Sequence, residues 1–170
     1  MNLLREYDVE FVKLKDGLHS FEFNLEDSFF KAFNSSLLVD HIKVHLDFLK
    51  SPSMFTLTFR IDGDLKSECD RCLNDITLPV HGQYVLLVKV TEQELEDQDD
   101  LIYINSAAHK INVSQPIFDY IHLLLPIKKT CTDVGLKCNP EITGKITMLI
   151  DVDTVGDDIP DRDTDDDEEE

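Results

Sequence analysis

Four cysteines are the residues in this sequence with the clearest potential for chemistry. Cys69 and Cys72 are separated by two residues, and Cys131 and Cys138 follow after 58 intervening residues. Two thiolates with the first spacing can bind one tetrahedral zinc ion, because the backbone between them folds into a tight knuckle. A closed zinc site needs four ligands, so Cys131 and Cys138 are the candidates for completing it. One structural zinc ion held by these four residues is therefore the first hypothesis.

Two alternatives remain open for the same cysteines. Reduced thiols without a metal often pack inside a protein as small apolar side chains. A redox role would instead require Cys69 at the N-terminus of a helix, where the pKa of a thiol falls. Here Cys69 follows residues with the pattern of a β-hairpin, which disfavours the redox role.

Basic residues flank both cysteine pairs in the sequence. Lys66 and Arg71 lie near the first pair, and Lys128, Lys129 and Lys137 lie near the second. If the cysteines converge, these five side chains gather at one site, where they can bind the phosphates of RNA. The alternative is that they are ordinary solvated charges. The aromatic signature of an RNA-recognition motif is missing from the sequence, so the residues alone leave the partner open.

The elements that must position these residues are mainly strands. Alternation of apolar and polar residues predicts strand segments, which are residues 7–11, 21–25, 42–48, 55–61, 76–80, 84–90 and 101–104. We expect the first two segments to form a hairpin. We also expect Asp62-Gly63-Asp64 to turn the chain, so that residues 65–69 return as another strand. Strands with one buried and one wet face are typical of an antiparallel sheet.

Two helices accompany the predicted strands. Asp27 is expected to cap a short helix over residues 28–33, and Ser114 to cap a longer one that ends at Pro126. The longer helix is apolar on nearly every side, so we expect it to be buried. Residues 145–150 are a last strand candidate. The predicted fold is α+β, a mainly antiparallel β-sheet with one buried C-terminal helix and a short N-terminal helix.

Charge is distributed unevenly along the chain. The net charge is −19, from 16 basic and 35 acidic residues, but residues 151–170 contain 12 of the acids and a single base. Residues 91–100 contain six more acids and no base, so the remainder is nearly neutral. We expect one β-rich domain over residues 1–150 and a disordered acidic tail over 151–170, because like charges repel and no apolar face favours ordering.

Composition and motifs argue against several classes of protein. No apolar run approaches the roughly 20 residues of a membrane span, and the first 15 residues lack the apolar region of a secretory signal. We therefore expect a cytoplasmic protein with reduced cysteines and no membrane association. The sequence contains no nucleotide-binding, serine-hydrolase or zinc-protease motif, and no small-molecule substrate is evident.

The order of these features resembles the YceD family, which is associated with the accumulation of large-subunit (23S-type) ribosomal RNA in bacteria. The resemblance covers roughly residues 40–142. It rests on the C-x-R-C-L motif at residues 69–73, the segment 99–104, the segment 111–126 with its Leu-Leu-Leu-Pro ending, and the loop that contains Cys131, Gly135 and Cys138. The long N-terminal β region resembles the Bacteroidetes-like branch of the family.

This resemblance implies a non-enzymatic factor in ribosome biogenesis that supports the accumulation or processing of 23S rRNA by binding. Its partner would be large-subunit rRNA or a ribosome-assembly protein. In this interpretation no catalytic residue is expected, and the RNA-binding candidates are Lys66, Arg71, Lys128, Lys129 and Lys137. A zinc-dependent protein-interaction module is the second hypothesis, and a thiol redox protein is the third. Salt-sensitive affinity for RNA would indicate the first, zinc without RNA the second, and a depressed Cys69 pKa the third.

Overall fold

A five-stranded sheet dominates the part of the chain that the structure describes. This computed structural model describes residues 3–142 except 94, 97 and 99. Its strands are β1 (Asp8–Val9), β2 (Gly17–Leu25), β3 (Leu38–Lys50), β4 (Met54–Glu68), β5 (Asp75–Thr91), β6 (Leu101–Asn105) and β7 (Ile111–Asn112). Its α-helices are α1 (Asp27–Ala32) and α2 (Ser114–Leu124), and short 3-10 helices cover Leu3–Tyr7, Phe11–Lys13 and Cys131–Val134.

The five strands follow the order β2-β3-β4-β5-β6, and the first four are antiparallel to their neighbours. The short edge strand β6 runs parallel to β5. A separate two-stranded ribbon joins β1 to β7. The predicted α+β class with a mainly antiparallel sheet is therefore confirmed.

Alternation along the strands gives the sheet one buried face and one polar face. The hairpin of β3 and β4 shows this most clearly, and its fully buried cross-strand pairs are Val44 with Ile61, Leu46 with Phe59, and Phe48 with Leu57. The N-terminal segment, α1 and α2 contribute to the same apolar core. The strands predicted at residues 42–48 and 55–61 are confirmed, because their apolar residues do face this core.

The N-terminal segment does not form the hairpin that its alternation predicted. Residues Leu3–Tyr7 are 3-10 helical, and β1 pairs with β7 rather than with β2. Tyr7 packs against Phe23 and Phe29, with ring centroids 5.3 and 4.9 Å apart. The prediction was wrong because alternation identifies which residues are buried but not which strand pairs with them.

Gly63 lies inside β4 and does not turn the chain. β4 continues through residues 65–68, which were expected to return as a separate strand. The register of β3 against β4 shifts between Val39 and His41. At this bulge a Cβ on Gly63 would lie 2.1 Å from the His41 carbonyl oxygen. The glycine is therefore needed for a close approach of two backbones rather than for a turn.

The two α-helices lie where the sequence placed them, but they begin differently. α1 begins at Asp27, whose carboxylate accepts a hydrogen bond from the Val39 N–H at 2.9 Å. α2 begins at Ser114, whose N–H donates to the Asn112 side chain at 3.0 Å. The predicted caps at Asp27 and Ser114 were therefore wrong by one position, since each is the first residue of its helix.

One face of α2 lies in the core and the other is exposed. Ile117 and Ile121 are fully buried, whereas Leu123 is 68% exposed. Tyr120 stacks on Tyr84 of β5 with ring centroids 4.4 Å apart. The helix is thus buried along one face rather than around its whole circumference.

Three predictions concern the C-terminal part of the chain. The strand candidate at 145–150, the acidic tail at 151–170 and the domain boundary at residue 150 all lie outside the described residues. In the part that is described, no helix is both long enough and apolar enough to cross a membrane.

Candidate metal centre

The first cysteine pair lies in the loop that joins β4 to β5. The pairing of these strands ends at Glu68 and Asp75, so residues 69–74 form the tip of a long hairpin. The Leu73 N–H donates to the Cys69 carbonyl at 2.9 Å. Leu73 has a φ of 58°, a left-handed conformation that closes the loop. We refer to residues 69–74 as the cysteine knuckle.

The second cysteine pair lies in the loop that follows α2. Thr130 forms a capping box with Asp133 at the start of the 3-10 helix Cys131–Val134. Gly135 then adopts a left-handed φ of 74°, which reverses the chain at little steric cost. Cys138 therefore returns toward the beginning of the same loop.

A reciprocal pair of hydrogen bonds joins the cysteine knuckle to the second loop. The Asp70 N–H donates to the Lys129 carbonyl at 2.7 Å, and the Asp70 carboxylate accepts from the Lys129 N–H at 2.6 Å. These bonds fix Lys129 two residues before Cys131. Two segments that are far apart in the sequence are thereby held side by side.

The structure brings all four cysteines together. The four Sγ atoms lie within 4.8 Å of one another, with 3.8 Å between Cys69 and Cys138 and 3.5 Å between Cys72 and Cys131. Cys69, Cys72 and Cys131 are buried, and Cys138 is half-buried. In a tetrahedral zinc site with Zn–S bonds of about 2.3 Å, the sulfurs are about 3.8 Å apart. The spacing of the thiols therefore fits such a site.

Backbone N–H groups favour the thiolate form of the knuckle cysteines. Burial by itself would raise the pKa of Cys69, but hydrogen bonds from the N–H groups of Arg71, Cys72 and Cys131 lower this pKa to about 6. The Cys131 N–H lies 3.4 Å from the Cys69 sulfur. Other backbone N–H groups lower the pKa of Cys72. A tight loop whose N–H groups point at sulfur is a general way to stabilise a thiolate.

The pKa values of the two cysteines in the second loop are raised rather than lowered. Burial, together with hydrogen bonds to the neighbouring thiols, raises the pKa of Cys131 to about 12. Burial also raises the pKa of Cys138. These two thiols need an added positive charge nearby before they ionise, and a bound divalent cation supplies such a charge.

A depressed Cys69 pKa was also the feature expected of a redox thiol. However, Cys69 is 0% exposed, and it lies in a hairpin turn rather than at the start of a helix. Thiol exchange requires a thiolate that a second molecule can reach. The buried cluster therefore favours metal ligation over a redox role.

The five predicted basic residues lie around the cluster, but their surroundings differ. Arg71 lies in the knuckle, and it shares the neighbourhood of Asp133 with Lys128. Lys137 is exposed beside Cys138, whereas Lys66 lies on β4 and forms an ion pair with Asp40 at 3.6 Å. Among the described residues, that pair is the single salt bridge made by any of the five bases.

Acidic residues are interleaved with these bases. The segments 66–75 and 127–142 contain five basic and five acidic residues. Two of the acids are engaged by the fold, since Asp70 accepts from the Lys129 N–H and Asp133 accepts from the Thr130 hydroxyl and N–H. The formal charge of the two segments therefore sums to zero. A positively charged surface at this site depends on where the basic side chains lie, not on an excess of basic residues.

The sequence reasoning missed the aliphatic residues exposed around the cluster. Leu73 is 69% exposed, and Ile127 and Leu136 are exposed as well. The apolar cluster around the cysteines contains three of them with Ile76 and Leu78, and none of the three exposed aliphatic residues belongs to it. Their positions beside the cysteines were visible in the sequence, but their exposure was not.

The comparison with known families supplies the remaining observation about this site. The family model described as large ribosomal RNA subunit accumulation protein YceD matches residues 57–148. The chain belongs to the YceD family. The matched region contains all four cysteines and all five predicted basic residues. Neither the curated proteins nor the solved structures contain a significant match to the chain. The YceD name connects the family with the accumulation of large-subunit ribosomal RNA.

Proposed function

We propose that this protein is a non-enzymatic, cytoplasmic factor that supports the accumulation of large-subunit rRNA by binding it near a structural zinc centre. The observation that carries the proposal is the convergence of the four thiols, which sets Arg71 beside Lys128 and Lys129. Membership of the YceD family supplies the process. The basic residues around the cysteines support this region as the binding surface.

The zinc part of the proposal rests on the chemistry of the donors. All four Sγ atoms lie within 4.8 Å of one another, and three of the thiols are buried with few apolar neighbours. Bound zinc would neutralise the thiolates and tie the knuckle to the loop after α2. We assign zinc a structural role, because four protein ligands leave no open position for a substrate or water.

The RNA part of the proposal rests on three basic side chains that form no salt bridge with any carboxylate among the described residues. Arg71 and Lys128 are exposed and Lys129 is half-buried, and the nearby Asp70 and Asp133 already accept hydrogen bonds from the backbone. Phosphate groups docking here would release counterions, so affinity should fall steeply as salt rises.

The test is a salt titration of binding to large-subunit rRNA, with zinc measured in the same preparation of the full chain. The variant R71E/K128E/K129E should bind more weakly than wild type and show a shallower salt slope, since each lost phosphate contact reduces the slope by about 0.7 to 0.9. The matched control is K31E/K43E/K89E, which makes the same charge change at exposed positions on α1, β3 and β5. Equal affinities and slopes for wild type and the first variant would overturn the RNA surface.

A second candidate function is a zinc-dependent protein-interaction module that binds a ribosome-assembly protein. The observation in its favour is the set of exposed aliphatic residues, Leu73, Ile127 and Leu136. The segments 66–75 and 127–142 contain no aromatic residue on which a base could stack. Substituting these three residues by Ser would weaken the binding of a protein partner but leave the affinity for RNA nearly unchanged.

A further inference from the structure

A row of mainly aliphatic side chains crosses the five-stranded sheet from edge to edge. Each of the five strands contributes one residue, and each residue is directly opposite the next in the register. In the order β2 to β6 these residues are Leu18, Leu49, Thr56, Leu87 and Leu101. Because neighbouring strands are about 4.8 Å apart, the side chains form a continuous line, which we call the leucine row.

The leucine row lies on the face of the sheet that points away from the main core. Phe48 and Leu86 are buried in that core. Side chains alternate along a strand, so Leu49 and Leu87 lie on the other face. No member of the row belongs to either apolar cluster of the described residues. The row therefore has no part in the packing of the described chain.

The row is open to solvent, most of all at its β2 end. Leu18 is 64% exposed and Leu49 is 43% exposed. Met54 and Val85 lie on the same face, two residues from the row on β4 and β5, and both are exposed. Single exposed aliphatic residues are ordinary, but a contiguous apolar patch typically marks an interaction surface.

This surface is separate from the metal centre. Thr56 lies near the beginning of β4, and the cysteine knuckle follows Glu68 at the end of the same strand. Twelve residues of extended chain span roughly 40 Å. The leucine row is therefore at the opposite end of the sheet from the surface assigned to RNA.

Negative charge adjoins the β6 end of the row. The Leu87 N–H donates to the Asp100 carbonyl at 2.8 Å, so the segment 91–100 reaches the row at this end. That segment contains six acids and no base. Glu92, Glu96 and Asp100 are exposed, and none of them forms a salt bridge with another described residue.

This charge favours a basic occupant. Lys89 of β5 offsets only one of the negative charges near the row. RNA or an anionic membrane would bring more negative charge to the same place, and a second copy of the chain carries a net charge of −19. A partner with Lys or Arg beside an apolar surface is complementary to both features.

The geometry of a sheet face favours a helix as the part that docks. The strands pair their backbone groups with one another, so a chain that lies on the face must satisfy its own backbone hydrogen bonds. An α-helix does so within itself. Five strands span about 19 Å, which is the length of about 13 helical residues.

We infer that the leucine row docks an amphipathic helix of a partner protein, about 13 residues long, with Lys or Arg at the end that lies over β6. The apolar stripe of the helix covers the row. Its basic end lies beside Glu92, Glu96 and Asp100. This surface goes beyond the proposed function, because neither zinc nor RNA takes part in it.

Site-specific photo-crosslinking in native cells identifies the partner segment. A photoreactive phenylalanine analogue replaces Leu49 in the full chain, and mass spectrometry identifies the crosslinked peptide. We expect a segment of a different protein that has an apolar stripe at helical spacing and an excess of Lys and Arg. The same analogue at Leu123, an exposed residue of α2, should not capture that segment. Crosslinks from position 49 to a second copy of the chain or to RNA, or none beyond those from position 123, would overturn the inference.

A binding titration then tests the apolar contact. The probe is a synthetic peptide with the sequence of the crosslinked segment, titrated against the full chain. L18S/L49S should bind it at least about tenfold more weakly than wild type, because two members of the row lose their apolar contacts. V12S/L123S is the matched control, since both residues are exposed elsewhere, and it should bind as wild type does. Equal affinities of wild type and L18S/L49S would overturn the docking site.

Neutralising the acidic end tests the orientation of the helix. E92Q/E96Q/D100N should weaken binding of the same peptide several-fold at low salt, and the difference from wild type should shrink as salt rises. Equal affinities at low salt would overturn the placement of the basic end. The control makes the same charge change at three exposed acids elsewhere, E6Q/E26Q/E141Q.

Discussion

The sheet and the cysteine knuckle are two regions of one hairpin, yet they are stabilised differently. Among the described residues, the main core contains 24 buried hydrophobic residues, which come from the sheet, both helices and the N-terminal segment. The cluster at the knuckle contains five, three of which are cysteines. The sheet can therefore be stable through burial of apolar surface alone, whereas the knuckle depends on local hydrogen bonds and, in our proposal, on a metal ion.

The largest effect should come from truncating the centre of the sheet core. Phe59 is fully buried and packs against Tyr120 with ring centroids 5.3 Å apart. F59A should lower the free energy of unfolding by about 3–5 kcal/mol, because it removes the ring and leaves a cavity. Chemical denaturation measures this. L123A is the control, since Leu123 is 68% exposed, and it should change stability by less than about 0.5 kcal/mol. Similar losses in the two variants would contradict the placement of this core.

A smaller effect is expected at the bulge between β3 and β4. In G63A the new Cβ would lie 2.1 Å from the His41 carbonyl oxygen, which only backbone movement can relieve. We expect a loss of about 1–3 kcal/mol, the usual range for overpacking. G82A is a matched control, because its Cβ would meet the flexible end of Leu124. A G63A variant as stable as G82A would show that the close approach is unimportant.

Metal removal should affect the cysteine knuckle and leave the sheet unchanged. A strong zinc chelator should speed amide exchange in residues 126–142 and in the cysteine knuckle, because the thiolates would repel one another or take up protons. Exchange in β3 and in residues 54–61 of β4 should be unchanged. A C69S/C138S variant should already show the loosened pattern and should not respond to the chelator. If the chelator sped amide exchange equally in the sheet and at the cysteine knuckle, the sheet would not be stable independently of the metal.

The smallest effect is expected on the polar face of the sheet. The Ser20 hydroxyl, together with Arg60 and His45, holds the pKa of Asp47 below its usual range. A lowered folded-state pKa contributes stability that is present above the ordinary Asp pKa of about 4 and is lost as pH falls through the lower folded value. D47N should therefore cost less than about 1 kcal/mol at neutral pH. The difference in the free energy of unfolding between D47N and wild type should vanish in acid. An equal difference at pH 7 and pH 2 would show that it does not come from the ionised Asp47 carboxylate.

Local patterns in the sequence predicted several features correctly. Period-two alternation identified β3 and the first half of β4, since a buried face requires an apolar residue at every second position. The C-x2-C spacing identified Cys69 and Cys72 as a possible knuckle. The fold class and the YceD resemblance also followed from the order of these elements. The strand alternation and the C-x2-C spacing each depend on residues that are close together in the chain.

The features that were predicted wrongly depend on contacts between distant residues. The segment 7–11 alternates as a strand would, but its partner β7 lies about a hundred residues away and nothing local selects it. Asp62-Gly63 has the composition of a turn, yet the bulge opposite His41 requires the same glycine. A rule based on local sequence could not distinguish a turn from a bulge at Gly63, because both require the backbone conformations that glycine adopts more easily than other residues.

The sequence by itself determined that this chain has an alternating β-rich body, a C-x2-C knuckle and a strongly acidic C-terminal segment. Only the tertiary structure decided that Cys131 and Cys138 join the knuckle, because this depends on the hairpin of β4 and β5 reaching the loop after α2. It also decided which residues beside the cysteines remain exposed, and which leucines meet across the exposed face of the sheet. The physical reason is that convergence and exposure are properties of packing, and packing is fixed by long-range pairing rather than by the order of neighbouring residues.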